Sequence, residues 1–455
     1  MYQTKLSFMN KSLSFFIVLV FCINTIGFTQ SKYVVQNKKQ TDKVKFKLIN
    51  NLIIIPVEIN GVTLSFILDT GVGKPIIFNF LNAFETLQIK DTETIYLRGL
   101  GEGESIKALK SENNIFKVGD AIKLNQDLYT VYGTNLNFAP RLGIPIHGII
   151  GYDLFKDLIV EINYSKKHIR FTNPNKYEYK NCKKCETLNL EFYNNKPYIN
   201  AEVTIDNKRI PIKLLIDSGG SDSLWLFEDD SLGIQSNNKF FDDFLGHGLS
   251  GSIYGKRSKI DEFSLKKFKL YNANVAYPDS ISISFARKFK GRNGSLAGNI
   301  LKRFNVIFDY RKAKVTIKKN IHFKEAFSYN RSGIELAHEG VRLVKEIDNK
   351  LPKYGDRGLQ NSQATKRNRI VIDTQYKLLL KPAYTIVELR KNSPADIAGL
   401  LIGDIILNIN NKPAYNYSLQ QLTRLFYDDV GKIIKLKVDR NGEILNFSFK
   451  LKKPY

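Results

Sequence analysis

Cysteine and histidine are scarce in this chain, and their scarcity excludes several kinds of site. Only three of 455 residues are Cys and five are His. Cys182 and Cys185 form one Cys-Lys-Lys-Cys pair, whereas a zinc ribbon requires a second such pair. Outside the cytoplasm we expect a small disulfide; a redox role is the alternative, although no thioredoxin-like pattern surrounds the pair. The histidines form no His-Glu-x-x-His motif, so we expect no metal and no cofactor.

Motifs for serine hydrolysis and phosphate binding are also absent. No Gly-x-Ser-x-Gly sequence occurs. The glycine-rich stretch from Gly99 to Gly103 is not followed by Lys-Ser or Lys-Thr, and Glu102 and Glu104 would repel a phosphate group. Nucleotide binding is therefore not expected.

No apolar run is long enough to predict a membrane span. Residues 13–23 contain one serine and no charge, follow a segment with two lysines, and precede polar residues from Thr29. This pattern is typical of a signal peptide, here residues 1–29. It predicts export to the bacterial periplasm or the cell exterior, without stable membrane insertion after cleavage. A retained anchor and a lipoprotein signal at Cys22 are the alternatives.

Positive charge predominates but is not concentrated. The chain has 69 Lys and Arg against 44 Asp and Glu, a formal net charge of +25. Nucleic-acid binding would require a focused patch, whereas the lysines are dispersed, for example at alternating positions Lys43, Lys45 and Lys47. We expect no nucleic-acid partner; a binder of anionic polymers is an alternative that rests on charge alone.

A long unit occurs twice in the chain. Residues 52–71 read LIIIPVEINGVTLSFILDTG, and residues 196–219 read KPYINAEVTIDNKRIPIKLLIDSG. Each copy predicts a strand, a tight turn and a second strand that ends in Asp-Thr-Gly or Asp-Ser-Gly. A glycine-rich stretch and an apolar-apolar-Gly element follow in both copies. Corresponding landmarks lie about 147 residues apart, which indicates a duplication.

The duplication gives two aspartates, Asp69 and Asp217, equivalent positions. Two carboxyl groups that share one proton can hydrolyse an amide, because the ionised group accepts a proton from water while the protonated one donates to the carbonyl oxygen. Like charges at close range cannot both ionise, so such a pair titrates in two separated steps. An approximate two-fold axis between two equivalent loops would bring the carboxyl groups together.

The residues after each aspartate can stabilise the contact between the two loops. Thr70 and Ser218 can direct hydroxyls to the backbone of the opposite loop. Gly71 and Gly219 let the chain turn tightly and present amides to the carboxylates.

These triplets resemble the catalytic Asp-Thr/Ser-Gly sequences of the pepsin and retroviral (retropepsin) aspartic proteases. The elements that end at Gly151 and Gly298 resemble the apolar-apolar-Gly sequence that supports the catalytic loop in that family. The resemblance covers about residues 44–322. It implies a mostly β protein with two related closed β-barrel-like lobes, residues 44–176 and 186–322, and endopeptidase activity on protein or peptide substrates.

The resemblance also implies two β-hairpin flaps over the cleft, because both glycine-rich stretches lie where the family has its flap. Their glycines are Gly99, Gly101 and Gly103 in the first copy and Gly246, Gly248 and Gly251 in the second. The chain departs from the family after each triplet, where it has Val72-Gly73 and Gly220-Ser221. No flap tyrosine aligns, although Tyr96 and Tyr254 lie near the stretches.

The C-terminal region, residues 331–455, predicts a further α+β domain. After a polar, basic loop at residues 351–370 come a strand over 384–389, a short helix capped by Ser393, a strand over 405–409 and a helix capped by Ser418. The series SPADIAGLLIGDIILNINNKP resembles bacterial PDZ domains, which implies a peptide ligand that adds as a strand. Its carboxylate is expected at Gly333, Ile334, Glu335 and Leu336; a packing domain without a ligand is the alternative.

The sequence therefore predicts an exported aspartic endopeptidase with a peptide-binding PDZ-like domain. The alternative to an enzyme is a peptide-binding scaffold that keeps the peptidase fold without turnover. The altered residues after each triplet suggest this alternative.

Overall fold

The structure is a computed structural model that describes residues 32–78, 87–89, 92–132, 137–347 and 376–455. The predicted signal peptide, with Cys22, and the basic loop at 351–370 lie outside the described residues. The chain divides into two compact units. The first extends to Asn137 and resumes over Ile146–Phe327; the second combines Phe138–Pro145 with Ser328–Tyr455. Apart from Phe138–Pro145, both copies of the repeat therefore belong to one unit.

Among the described residues, the first copy comprises strands and two short helices. In chain order the elements are β1 (Val34–Val35), β2 (Thr41–Lys45), β3 (Lys47–Ile49), β4 (Leu52–Ile59), β5 (Val62–Leu68), β6 (Ile76–Ile77), β7 (Thr92–Leu97), β8 (Ile106–Val118), β9 (Ala121–Val131), α1 (Ala139–Leu142), β10 (Gly148–Ile150), α2 (Tyr152–Asp157), β11 (Ile159–Asn163) and β12 (His168–Thr172).

The second copy repeats this order of strands. Its elements are β13 (Cys185–Asn189), β14 (Glu191–Tyr193), β15 (Lys196–Ile205), β16 (Lys208–Asp217), β17 (Leu224–Leu226), β18 (Phe241–Gly248), β19 (Gly251–Leu265), β20 (Phe268–Pro278), β21 (Gly294–Ala297), α3 (Gly298–Leu301), β22 (Phe304–Asp309) and β23 (Lys314–Lys319), with a 3-10 turn at Ala286–Lys288. The hairpins β4–β5 and β15–β16 correspond, as predicted from the repeat.

Asparagine makes the tight turns of these hairpins possible. The turn between β4 and β5 has Asn60 at φ 49 and Gly61 at φ 90, and the turn between β15 and β16 has Asp206 at φ 47 and Asn207 at φ 62. Two-residue hairpin turns with positive φ at both positions match the twist of the flanking strands, and Asn, Asp and Gly tolerate that backbone best.

Strand pairing follows the same plan in both copies. In the first, β9 pairs with β6 and β8, so the hydrogen-bonded path through β6, β10, β5, β4 and β8 returns to β9. In the second, the path through β15, β16, β21, β17, β20 and β19 returns to β15 in the same way. A further six-stranded sheet has the order β13-β23-β22-β11-β12-β2. The corresponding strands β11 and β22 pair with each other at its centre.

The strands that lead to the two aspartates are buried. Phe66 and Leu68 of β5 and Leu214 of β16 are fully enclosed, within an apolar core that spans both copies. Burial of each such side chain contributes about 1.5–3 kcal/mol to folding. The end of each strand is thereby held in place.

The second unit has its own sheet and core. Its remaining elements are β24 (Ile334–Ile347), β25 (Tyr376–Leu389), α4 (Pro394–Ile397), β26 (Ile405–Ile409), β27 (Lys412–Pro413), a 3-10 turn at Ala414–Asn416, α5 (Leu419–Leu425), β28 (Ile433–Arg440) and β29 (Glu443–Lys450). The sheet order is β24-β25-β26-β28-β29, with β27 paired to β26.

The helix starts predicted for this region are present. Ser393 Oγ accepts a hydrogen bond from Asp396 N at the start of α4, and Ser418 with Gln421 forms a capping box at the start of α5. Strand β25 is longer than expected: it begins at Tyr376, whereas the sequence predicted a start at residue 384.

Cys182 and Cys185 form a disulfide, with a Cα–Cα distance of 5.4 Å. The expectation of a small disulfide is confirmed. The mostly β fold class is confirmed as well, whereas the two barrel-like protease lobes remain a prediction.

Candidate active site

The loops after β5 and β16 meet through reciprocal hydrogen bonds. Thr70 N–H donates to Ser218 Oγ, and Ser218 N–H donates to Thr70 Oγ1, each at a distance of 3.0 Å. The Thr70 hydroxyl donates to Ile216 O at 2.7 Å, and the Ser218 hydroxyl donates to Leu68 O at 2.8 Å. Both side chains are buried, so the four bonds fix the two loops against each other.

The isosteric change Thr70→Val should destabilise the first unit. It leaves the buried Ser218 N–H without its acceptor and the Ile216 carbonyl without its donor. Each unsatisfied group lowers the free energy of unfolding by about 1–3 kcal/mol. We expect urea unfolding to show a loss of this size for Thr70→Val, while Thr70→Ser keeps most of the stability. Thr63→Val, on an exposed position of β5, is the control. Equal stabilities of Thr70→Val and Thr63→Val would contradict the interpretation.

Asp69 and Asp217 lie against the same glycines. Gly71 N–H donates to Asp69 Oδ1 at 2.6 Å, and Gly219 N–H donates to Asp217 Oδ1 at 3.1 Å. A Cβ added to Gly71 would lie 3.1 Å from Asp69 Oδ1 and 3.4 Å from Asp217 Oδ1, and one added to Gly219 would overlap the Asp69 carboxyl group. The structure thus brings both carboxyl groups together where the loops turn.

Gly151 and Gly298 support these loops by their lack of a side chain. Strand β10 pairs in parallel with β5, and Asp69 N–H donates to Ile150 O at 2.8 Å. A Cβ on Gly151 would overlap the Asp69 carbonyl oxygen. One on Gly298 would lie 2.5 Å from Asn51 O and 2.8 Å from Gly220 O. Only glycine allows this approach.

The carboxyl groups of the pair have perturbed acidity. Burial and the neighbouring charge of Asp217 raise the pKa of Asp69 to about 7. The hydrogen bond from Gly71 and the charge of Lys196 act in the opposite direction and lower this pKa. Burial also raises the pKa of Asp217, and there the Arg292 guanidinium is the largest opposing influence, followed by Lys196. The pair therefore retains a proton at pH values where isolated carboxyl groups would have lost it.

Lys196 is a site residue that the repeat comparison missed. The register of β15 and β16, continued by two residues, places Lys196 opposite Asp217, and that of β4 and β5 places Leu52 opposite Asp69. Directly opposed residues lie on the same face of a sheet with neighbouring side chains. A residue-by-residue comparison of the two copies would have revealed this difference, since one copy has Leu where the other has Lys.

Arg292 is a second missed residue, on the loop before β21. It is 7% exposed, and its Nε donates to Gly294 O at 3.1 Å while Nη2 donates to Ser295 Oγ at 2.6 Å. Burial lowers the pKa of Arg292, and the charge of Asp217 counteracts this effect. No sequence motif marked this arginine, because its proximity to Asp217 depends on the pairing of β16 with β21.

Tyr310, in the turn after β22, is also near the pair. Its hydroxyl is buried and has no hydrogen-bond partner among the described residues. Burial, then the charge of Asp69, raises the pKa of Tyr310. The phenol is therefore neutral, and adds no further charge to the site.

The predicted flap glycines lie in the tip regions of two hairpins. The first stretch joins β7 to β8, and the second lies at the β18–β19 turn, where Gly248 pairs with Gly251. The tips contact each other: Gly103 N–H donates to Ser250 O at 2.7 Å, and Ser250 N–H donates to Leu100 O at 2.9 Å.

Glycine is required where the tips touch. A Cβ on Gly99 would lie 2.6 Å from Leu249 Cβ, and one on Gly101, which has φ +120, would lie 2.5 Å from the Ser250 backbone. Gly246 and Gly251 also have positive φ. Tyr96 is 70% exposed and Tyr254 43% exposed, so neither is enclosed at the tips.

The residues expected to hold a peptide carboxylate lie at the start of β24. Gly333 N–H donates to Asn330 Oδ1 at 3.2 Å, and Ile334 N–H donates to Ser332 Oγ at 3.0 Å. Glu335 and Leu336 pair with β25. The first two amides are thus engaged within the chain, and this arrangement does not favour the expected carboxylate site.

Residues 385–440 form a PDZ domain. The match begins within β25 and ends with β28, so it contains α4, β26 and α5 but not residues 333–336. The PDZ domain confirms that part of the sequence prediction, and PDZ domains bind peptides.

No curated protein matches the chain. Among the described residues, no helix combines the length and the apolar character that a membrane crossing requires.

Proposed function

We propose that the first unit is an aspartic endopeptidase in which Asp69 and Asp217 share one proton, and that the PDZ domain binds peptides. The observation that carries the proposal is the meeting of the two Asp-containing loops through the crossed hydrogen bonds of Thr70 and Ser218. The returning strand path in each copy and the paired hairpin tips support a two-lobed arrangement with a covered cleft.

The surroundings of the two carboxyl groups suggest different roles. Arg292 is the largest influence that favours negative charge on Asp217, while burial and the charge of Asp217 raise the pKa of Asp69 to about 7. Asp217 would accept a proton from the attacking water, and Asp69 would donate its proton to the carbonyl oxygen. The Asp217 proton then passes to the leaving nitrogen as the C–N bond breaks, and Asp69 regains its proton from the hydroxyl of the intermediate.

The proposal is tested by digestion of a peptide library with the purified chain from residue 32 onward, between about pH 3 and pH 8. We expect cleavage within peptides that declines as the pH rises through about 7, because Asp69 then loses its proton. Pepstatin, which imitates the tetrahedral intermediate, should inhibit it. Absence of cleavage at every pH would favour the scaffold alternative.

Lys196→Met should move the pH dependence of cleavage to higher pH. Loss of the cation removes an influence that lowers the pKa of both carboxyl groups, so both pKa values rise. The pH range in which the pair holds one proton moves upward, by about one pH unit for a close charge. The profile of kcat/KM measures the shift. Lys208→Met, at the opposite end of the same hairpin, is the matched control. An unchanged profile for Lys196→Met would exclude this role.

A further inference from the structure

A segment from between two strands of the first copy belongs to the PDZ-containing unit. Phe138–Pro145 lies between β9 and β10 in sequence, yet it forms one compact unit with Ser328–Tyr455. Its single helical turn, α1, contacts β24. The chain therefore places eight of its own residues against the PDZ-containing sheet.

Specific polar contacts hold the segment. Arg141 Nη2 donates to Glu388 Oε1 at 2.8 Å, and Arg141 Nη1 lies 3.4 Å from Glu335 Oε2. Leu142 is buried, and its carbonyl oxygen accepts a hydrogen bond from Gln420 Nε2 at 2.7 Å. The segment is therefore held by two ion pairs and a hydrogen bond, and it contains one buried apolar side chain.

Close packing adds to the polar contacts. Gly143 has φ +64 and ends the helical turn. A Cβ at Gly143 would lie 2.9 Å from Leu419 Cβ on α5, so the backbone of the segment lies directly on that helix.

The segment reaches both sides of strand β24. Leu336 belongs to the same buried cluster as Leu419 of α5, so that face of β24 is turned to the helix. Glu335, the adjacent residue, points to the opposite face because side chains alternate along a strand. Because Arg141 contacts Glu335 and Gly143 contacts Leu419, the segment extends around the strand.

Among the described strands, β24 is an edge of its sheet, with β25 as its neighbour on one side. PDZ domains bind peptides by adding them along a sheet edge. Here that position is taken by a helical turn of the same chain. A covered edge is also protected from unwanted strand pairing.

We propose that Phe138–Pro145 is an internal ligand of the PDZ-containing unit, and that an external peptide must displace it. The acidic pair Glu335 and Glu388 selects a basic residue, and the burial of Leu142 selects an apolar residue after it. The external partner is therefore a peptide with an arginine followed by a leucine-like side chain. A tethered ligand has a millimolar effective concentration, so it excludes a free peptide of similar intrinsic affinity.

The segment is joined along the chain to a strand of the candidate active site. Pro145 is followed within three residues by β10, which pairs with the strand that ends before Asp69. We expect peptide binding to alter the support of the Asp69 loop. This consequence rests on the proposed peptidase function, whereas the binding itself does not.

The test uses the chain from residue 32 onward and a fluorescein-labelled peptide with the sequence of residues 137–146. In the Arg141→Glu chain the tethered segment is repelled by Glu335 and Glu388, which opens the edge of β24. We expect this chain to bind the labelled peptide at least about tenfold more tightly than the wild type, by fluorescence anisotropy. Lys437→Glu, the same charge change on an exposed position of β28, should behave as the wild type.

A second change locates the binding site. Adding Glu388→Arg to Arg141→Glu should abolish binding of the labelled peptide, and a peptide with Glu in place of Arg should not bind the Arg141→Glu chain. If Arg141→Glu does not fold, Gly143→Val displaces the segment by crowding Leu419 and should give the same gain. Equal binding by wild-type and opened chains, or no binding by an opened and folded chain, overturns the proposal.

Discussion

Asp69→Asn and Asp217→Asn should each reduce kcat/KM for peptide cleavage by at least about 10³-fold. Each change removes one of the two groups that move protons in the proposed reaction, and such groups act as a unit. Asparagine keeps the shape of the side chain and can still accept the hydrogen bond from Gly71 or Gly219. The loss should therefore appear in activity and not in folding, as measured by rates and circular dichroism of the same preparations.

The control for this prediction is Asp206→Asn, in the turn between β15 and β16. The same chemical change there, at a φ of 47 that Asn tolerates, should leave activity unchanged. Retained cleavage by Asp69→Asn or by Asp217→Asn would remove the basis of the proposed function.

The same Asp69→Asn variant should differ from the wild type in the pH dependence of its stability. The pKa of Asp69 is raised from 3.8 to about 7, so its contribution to stability is present below about pH 3.8 and is lost as the pH rises through 7. The asparagine side chain of the variant cannot ionise. The Tm of Asp69→Asn should therefore exceed that of the wild type at about pH 8 and approach it at about pH 4. A constant difference would show that the carboxyl is not perturbed.

Gly151→Ala is the second change with a large expected effect. The new methyl group would overlap the carbonyl oxygen of Asp69 and lie 2.8 Å from that of Val72, so the Asp69 loop must move. A displacement of about 1 Å at a catalytic group reduces rates by about 10²-fold, and the strain costs about 1–3 kcal/mol. We expect both a lower kcat and a lower Tm, whereas KM should change less.

Gly291→Ala provides the matched control for Gly151→Ala. A Cβ at Gly291 would meet the ring of Phe289 at 3.5 Å, an ordinary contact, and the site lies in a turn rather than beside an aspartate. Its activity and stability should stay near those of the wild type. Wild-type kinetics for Gly151→Ala would show that the position of the Asp69 loop does not depend on this close approach.

Much of the fold could be predicted because local and repeated signals agree. The hairpin before each aspartate follows from apolar strands joined by Asn-Gly or Asp-Asn, whose backbone preferences determine the turn. Serine caps with a proline or a capping-box glutamine determine the starts of α4 and α5. In each case neighbouring residues are sufficient.

Other features depend on residues that are distant in sequence. The influence of Arg292 on Asp217 requires the pairing of β16 with β21, and the joining of the hairpin tips requires Leu100 to meet Ser250. The placement of Arg141 beside Glu388 had no local signal either, because the segment around it contains only a short helical turn. Tertiary contacts of this kind are not encoded in periodicity or spacing.

The pairing of β11 with β22 bears on the origin of the molecule. Because these strands correspond and run antiparallel, a single copy could make the same contact with a second, identical chain, as in a symmetric homodimer. Identical subunits must carry the same residue on both sides of the axis. Fusion into one chain removes that restriction, and it lets Leu52 and Lys196 diverge at corresponding positions. The covalent link thus permits two chemically unequal halves to descend from one ancestor.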